Sequence, residues 1–339
     1  MVAPFGFGGW ARRPSIHPPG ARRALPAQAM TSPTPATARA AALGRWLVFA
    51  ATVFWASTAT LARFVFRDRH VPPLTVVELR LTVAAIVLFG FLLVRRPQAL
   101  RIRRGDVGYF LVLGLLGVAA VQGSYYFSIS KLGVGLAILV QYLAPTLIVA
   151  FELLRGRWVG WIMIGAVACA TAGTALLVGG VDPAALHARP LYWGISFASA
   201  FVFAFYIVYS KRGLQRYAPE TVLFYTFAIA GAFWAVVTPP WKIAAAGYPP
   251  SMWGIFILLG LFSTLVPFGL FYAGLRRLPA SETSVIATAE PLVAMLTAGI
   301  FLHERMRPVQ FVGAALVLAA ALLASRNTPQ ASEAAVERG

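Results

Sequence analysis

Ala137–Trp158 reads AILVQYLAPTLIVAFELLRGRW, and Ser284–Met306 reads SVIATAEPLVAMLTAGIFLHERM. Both fall in apolar runs of the length that crosses a ~30 Å hydrocarbon core. Each has a proline inside the run, Pro145 and Pro291, and the two prolines are 146 residues apart. Each closes on charged residues. In lipid, a proline can interrupt a helix only where neighbouring groups satisfy the backbone it frees. Two such segments predict a membrane protein with an internal repeat.

Working outward, the chain contains ten apolar runs of this kind. They lie near Gly44–Arg63, Leu74–Val94, Val107–Phe127, Leu132–Phe151, Trp158–Val178, Leu191–Ser210, Thr221–Thr238, Met252–Gly274, Ala280–Leu302 and Val309–Ser325. Connections between them are too short for a soluble catalytic domain, so function belongs inside the bundle. Composition agrees: of 339 residues 59% are hydrophobic and 12% charged, against about a quarter charged in soluble domains. Residues 1–43, rich in Pro, Ala and Arg, are expected to be disordered, with a polar tail at 326–339. Met30 is as good a candidate start as Met1. No cleavable signal peptide is visible.

The formal charge of +18 would suit a nucleic-acid partner in a soluble chain, and the hydropathy excludes that reading. Sorted by connection, 20 of the 29 basic residues fall on the side of both termini, 8 fall on the opposite side, and Arg80 lies within a span. The positive-inside rule then places both termini in the cytoplasm of an inner (plasma) membrane protein. Anionic lipid is a secondary partner for the same residues. Cys169 is the only cysteine, so no intrachain disulfide can form. The four histidines have no metal-ligand spacing, and neither a metal nor another cofactor is expected.

A shift of 146 residues superposes the two halves. Pro73, Thr75 and Val76 fall on Pro219, Thr221 and Val222; Gly114 falls on Gly260, Tyr126 on Tyr272 and Pro145 on Pro291. The shift is 147 in the first span of each half, where Trp46 meets Trp193, and 148 where Leu154–Trp158 meets Leu302–Met306. Chance similarity between apolar helices would match Leu, Val and Ala rather than Pro, Gly, Tyr and Trp. The expected units are 44–178 and 190–325. Five spans per unit is an odd number, so the second copy enters the membrane from the opposite side. The expected fold is therefore all-α, with ten transmembrane helices in two inverted five-helix repeats. That arrangement is a transporter signature.

These features, with the PLTVVELRLTVAA start of span two and the two proline-broken segments quoted above, resemble the EamA family of the drug/metabolite transporter superfamily. The resemblance covers about Gly44 to Ser325. It implies a ten-helix inner-membrane carrier, commonly an exporter of amino acids or similar small metabolites. The glutamate usual after the fourth span is Gly156 here, whereas the second half keeps Glu304.

Ionisable groups within lipid are costly, so each needs a reason. Nine of the eleven acids lie in tails, connections or near span ends; Glu78 and Glu290 do not. Glu290 is about ten residues into span nine, or ~15 Å, near the midplane. Pro291 follows it, and Pro145 marks the matching place in span four; paired interruptions of this kind point to a binding site in inverted-repeat carriers. Glu290 is expected to receive a substrate amine or a coupled proton, with Pro145 and Pro291 in gating. Glu78 and Arg80 stand about 200° apart around a helix and should not pair. An arginine is frequent at the place of Arg80 in the family, where the resemblance implies a packing anchor or a partner for a substrate carboxylate. Gln141, Tyr142, Trp55 and Tyr206 complete the candidate substrate contacts, with Gln122, Ser124 and Tyr125 at similar depth. Tyr126 and Tyr272 are expected as interfacial anchors. Gly114, Gly117, Gly160, Gly165 and Gly313 should permit close helix contacts, and spans five and ten should form peripheral scaffold.

The leading expectation is a secondary-active exporter of small molecules using alternating access, with the proton as candidate coupling ion. An importer or facilitative permease of the same fold remains open. A membrane-embedded enzyme would need a nucleophile–base pair or a metal cluster within the spans. No G-x-S-x-G, P-loop or intramembrane histidine occurs.

Overall fold

The computed structural model describes residues 35–67, 69–178, 188–301 and 307–326. Residues 1–34 of the expected tail, 327–339 and Glu304 lie outside that set. The helix of the first span starts at Pro35, so 35–43 continue it rather than precede it. The membrane helices are α1 (Pro35–Arg67), α2 (Pro73–Arg95), α3 (Arg104–Leu132), α4 (Val134–Leu154) and α5 (Trp161–Val178). The second half supplies α6 (Pro190–Leu214), α7 (Pro219–Val237), α8 (Pro250–Arg277), α9 (280–301) and α10 (Pro308–Arg326). No strand occurs among the described residues. Nine of these helices are long and apolar enough to cross a membrane. The remaining one, α9, is divided at Thr288 into Ala280–Ala287 and Ala289–Phe301.

Local chemistry sets the ends. Pro35, Pro73, Pro190, Pro219, Pro250 and Pro308 each open a helix, where the missing N–H would have had no intrahelical partner and the fixed φ suits the first turn. Gly133, at φ 82°, turns α3 into α4 without an intervening loop, a conformation that costs a glycine no Cβ clash.

The prolines inside α4 and α9 act one turn upstream. Pro145 has no N–H for the Gln141 carbonyl, and Pro291 none for Ala287. The helices accordingly break at Tyr142–Leu143 and at Thr288, positions related by the same 146-residue shift. A second pair of interruptions escaped notice in the sequence. Leu113–Ala119 in α3 and Leu259–Leu265 in α8 are π-helical, again 146 residues apart.

Packing follows the repeat. α1 lies on α8 while its counterpart α6 lies on α3; α1 also meets α9, and α6 meets α4. α2 pairs with α7, and α5 with α10. Each half thus lends its first helix to the other, so neither can bury its polar groups alone. Gly114 would place a Cβ 2.7 Å from Ile229 Cβ, and Gly260 would do the same against Val83. Those two contacts are repeat images. Gly173 and Gly313 bring α5 and α10 backbone to backbone. Gly165 has open space around it, so the expected packing role belongs to Gly173 instead. Gly160 serves a positive-φ turn at the head of α5.

Trp46, Val94, Leu154, Trp161, Phe201, Val236 and Leu322 turn outward. An apolar exterior of this kind is required where lipid replaces water. Tyr126 and Tyr272 do not belong to it. Both are buried, because α3 and α8 each turn these rings into the bundle, where their hydroxyls meet Arg80 and Ser210.

Candidate functional site

The two helix breaks meet at a carboxylate. The Tyr142 hydroxyl, on the break of α4, donates to Glu290 Oε2 at 2.7 Å, just beyond the break of α9. Glu290 is half-buried and Gln141, beside Tyr142, is buried. Tyr125 and Arg80 lie within electrostatic range of the same carboxylate. At the position of Glu290 the first half carries Ala144, so the pseudo-symmetric centre holds one acid, not two.

Arg80 is buried on α2 and its guanidinium is divided among three partners. Nε donates to Thr264 Oγ1 at 2.9 Å, Nη2 to the Ser263 carbonyl at 3.1 Å, and Nη1 to the Tyr126 hydroxyl. Ser263 and Thr264 belong to the π-helical turn of α8, where loosened registry frees a carbonyl for a side-chain donor. The arginine therefore ties α2 and α3 of one repeat to α8 of the other. Glu78 accepts from Thr82 Oγ1 at 3.0 Å and makes no pair with Arg80, as the helical angle requires.

An aromatic path leaves Tyr142. Its ring meets Phe203 edge-on at 6.3 Å, and Phe203 stacks on Tyr206 at 6.2 Å. Tyr206 contacts Phe268 and Phe271, both of which touch Trp55, at 5.1 and 5.6 Å. Such pairs favour tilted and edge geometries over sandwiches. Tyr206 is only 1% exposed. It stands as the middle of this stack, whereas Trp55 is half-buried at its end. The structure therefore joins Glu290 to Tyr142, next to Gln141, and ties Tyr206 and Trp55 to that pair through Phe203, while Arg80 is held by Tyr126, Ser263 and Thr264. Phe203, Ser263 and Thr264 had no signal in the sequence beyond their span membership.

α5 and α10 form a two-helix unit behind the site. Leu177 and Val317 pack with Ala289 and Leu292 on α9, next to Glu290. Among the described residues no group of three His, Cys, Asp or Glu side chains could hold a metal ion.

The profile of the EamA-like transporter family matches residues 42–179 and 192–326. Among similar proteins, the uncharacterized inner membrane transporter YicL of Salmonella typhimurium is 26% identical over 297 residues, covering 85% of this chain and 97% of that one. An uncharacterized transporter of Archaeoglobus fulgidus is 29% identical over 245 residues, covering 71% and 84%. The threonine/homoserine exporter RhtA of Escherichia coli is 24% identical over 267 residues, covering 78% and 85%. A crystal structure with 24% identity superposes with a TM-score of 0.67 over 83% of this chain and 96% of that one, a likeness in fold.

Proposed function

Because the chain belongs to the EamA-like transporter family, we propose that this multi-pass membrane transporter is a secondary carrier exporting amino acids or similar small metabolites by alternating access around Glu290. The observation that carries the proposal is the Tyr142–Glu290 hydrogen bond at the meeting of the two broken helices. A substrate ammonium would occupy the second oxygen of the carboxylate, and the carbonyls freed by Pro145 and Pro291 supply further acceptors. Tyr142 holds the carboxylate in place, and Gln141 adds a neutral polar contact. Phe203, Tyr206 and Trp55 offer an apolar wall. Arg80 holds α2, α3 and α8 around the site and keeps the field there from becoming purely negative.

Amino acids are the favoured class because a carboxylate at the helix breaks suits a substrate ammonium, and because RhtA is named as a threonine/homoserine exporter. The excess of basic residues puts both termini in the cytoplasm. A proton bound at Glu290 is the proposed coupling ion, since the same carboxylate would then exchange proton for substrate.

The test is counterflow in proteoliposomes across a panel of amino acids, with and without a pH gradient. One substrate class should exchange, and Glu290→Gln should raise its half-saturation about 10- to 150-fold while the protein remains folded. Near-normal transport by Glu290→Gln with unchanged pH dependence would remove the proposal.

A further inference from the structure

The two ends of this pseudo-symmetric bundle are closed by different chemistry. At the end carrying most of the basic residues, Arg45 on α1 reaches Glu282 at the start of α9, with Nε 2.7 Å from Oε1. The glutamate side chain is 0% exposed and the arginine 28%. Arg45 Nη2 also donates to the Ser325 carbonyl of α10 at 2.8 Å. Beside this contact, Lys211 of α6 caps the end of α8, with Nζ 2.6 Å from the Leu275 carbonyl and 2.7 Å from that of Leu278.

The repeat shows what stands at the opposite end. Arg45 falls on Tyr192 with the 147-residue shift, and Glu282 falls on Leu136 with the 146-residue shift. Both residues belong to one apolar cluster, with Leu132 and Trp193. The same α1–α9 and α6–α4 meeting is therefore made twice, once through a buried ion pair and once through an apolar cluster, at whose edge the Lys131 ammonium lies 5.7 Å from the Tyr192 ring centroid.

Resting on the alternating-access reading above, we propose that Arg45–Glu282 is the latch of the basic end, a polar gate opposed by an apolar one. In an inverted repeat, one helix pair separates as its image closes. If both contacts were apolar, the two closed ends would be chemically equivalent. An ion pair differs because its strength falls when either charge is removed, and an apolar contact has no charge to lose. Glu282 and Ile286 lie one turn apart in the first segment of α9, and Glu290 follows just beyond the break at Thr288. Opening the latch therefore uncovers the route to the carboxylate.

The experiment uses Cys169→Ser protein carrying Ile286→Cys, in membrane vesicles of known sidedness, labelled with a membrane-impermeant maleimide. Glu282→Gln should raise the labelling rate from the basic side about tenfold and lower it from the other side. Arg45→Tyr/Glu282→Leu, which copies the opposite contact, should return the rate to within about threefold of the parent. Unchanged labelling in Glu282→Gln, or an equal rise from both sides, overturns the latch. Failure of the apolar pair to restore closure overturns the pairing. The readout needs no substrate: a panel without counterflow but with the labelling shift would defeat the substrate proposal and leave the latch standing.

Discussion

Adding one methyl group at Gly313 should loosen the α5–α10 unit without altering the site. An ideal Cβ there would lie 2.8 Å from the Gly173 carbonyl oxygen and 2.9 Å from the Leu177 nitrogen. Both are backbone atoms in a neighbouring helix, and neither can rotate away. The helices must part by several tenths of an ångström, which forfeits contacts along the whole interface. Overpacking of this kind costs about 1–3 kcal/mol, a fall in Tm of about 1–4 °C for a chain of this size. Cys169 supplies the assay. It is half-buried on α5, packed against the cluster that holds Ala320 and Ala324 of α10. A thiol-reactive fluorophore therefore reports the opening of this unit directly during a thermal scan. Gly165→Ala is the internal control, since nothing lies within 4 Å of a Cβ there. It should be neutral or stabilising by up to about 1 kcal/mol through helix propensity. Gly173→Ala should resemble Gly313→Ala, and the double variant should be less destabilised than the sum, because the clash is reciprocal. A Gly313→Ala protein as stable as Gly165→Ala would refute the close approach. A large change in substrate half-saturation with unchanged Tm would refute the scaffold role.

Tyr142→Phe removes one hydroxyl and keeps the ring against Phe203; half-saturation in counterflow should rise about fivefold, the value of ~1 kcal/mol. Glu290→Gln should cost about 10- to 150-fold in the same assay, as expected for a charged hydrogen bond of about 1.5–3 kcal/mol. Arg80→Lys should not replace arginine, because an ammonium cannot reach Tyr126, Thr264 and the Ser263 carbonyl in one geometry. Denaturation should show a loss of about 1–3 kcal/mol per stranded partner. A fluorescent protein fused after Gly339 should fluoresce in a bacterial host, whereas alkaline phosphatase fused there should be inactive; the reverse result would invert the proposed orientation.

Much of this protein was legible along the chain. Spans could be found because lipid demands about 20 apolar residues in a row, a local property. The inverted repeat was visible in the constant spacing of Pro73/Pro219, Gly114/Gly260 and Pro145/Pro291. Glu290 stood out because an acid at mid-span is costly wherever its partners lie. Even the helix breaks could be placed, since a proline acts on the carbonyl four residues before it.

What could not be read were the contacts between helices. Tyr142 and Glu290 are 148 residues apart, and Arg80 meets partners 46 and 184 residues away. Tyr126 and Tyr272 looked like interfacial anchors because depth along a helix says nothing about which side faces lipid. Glu282 looked like an ordinary acid near a span end, yet it is fully buried against Arg45. Nor did hydropathy hint that α1 would pack with the second half and α6 with the first. The sequence alone determined which segments enter the membrane, how they repeat and where they break, because those follow from the composition of single helices. Only the tertiary structure decided which side chains meet, because rotation and register between helices are set by packing that sums over the whole bundle.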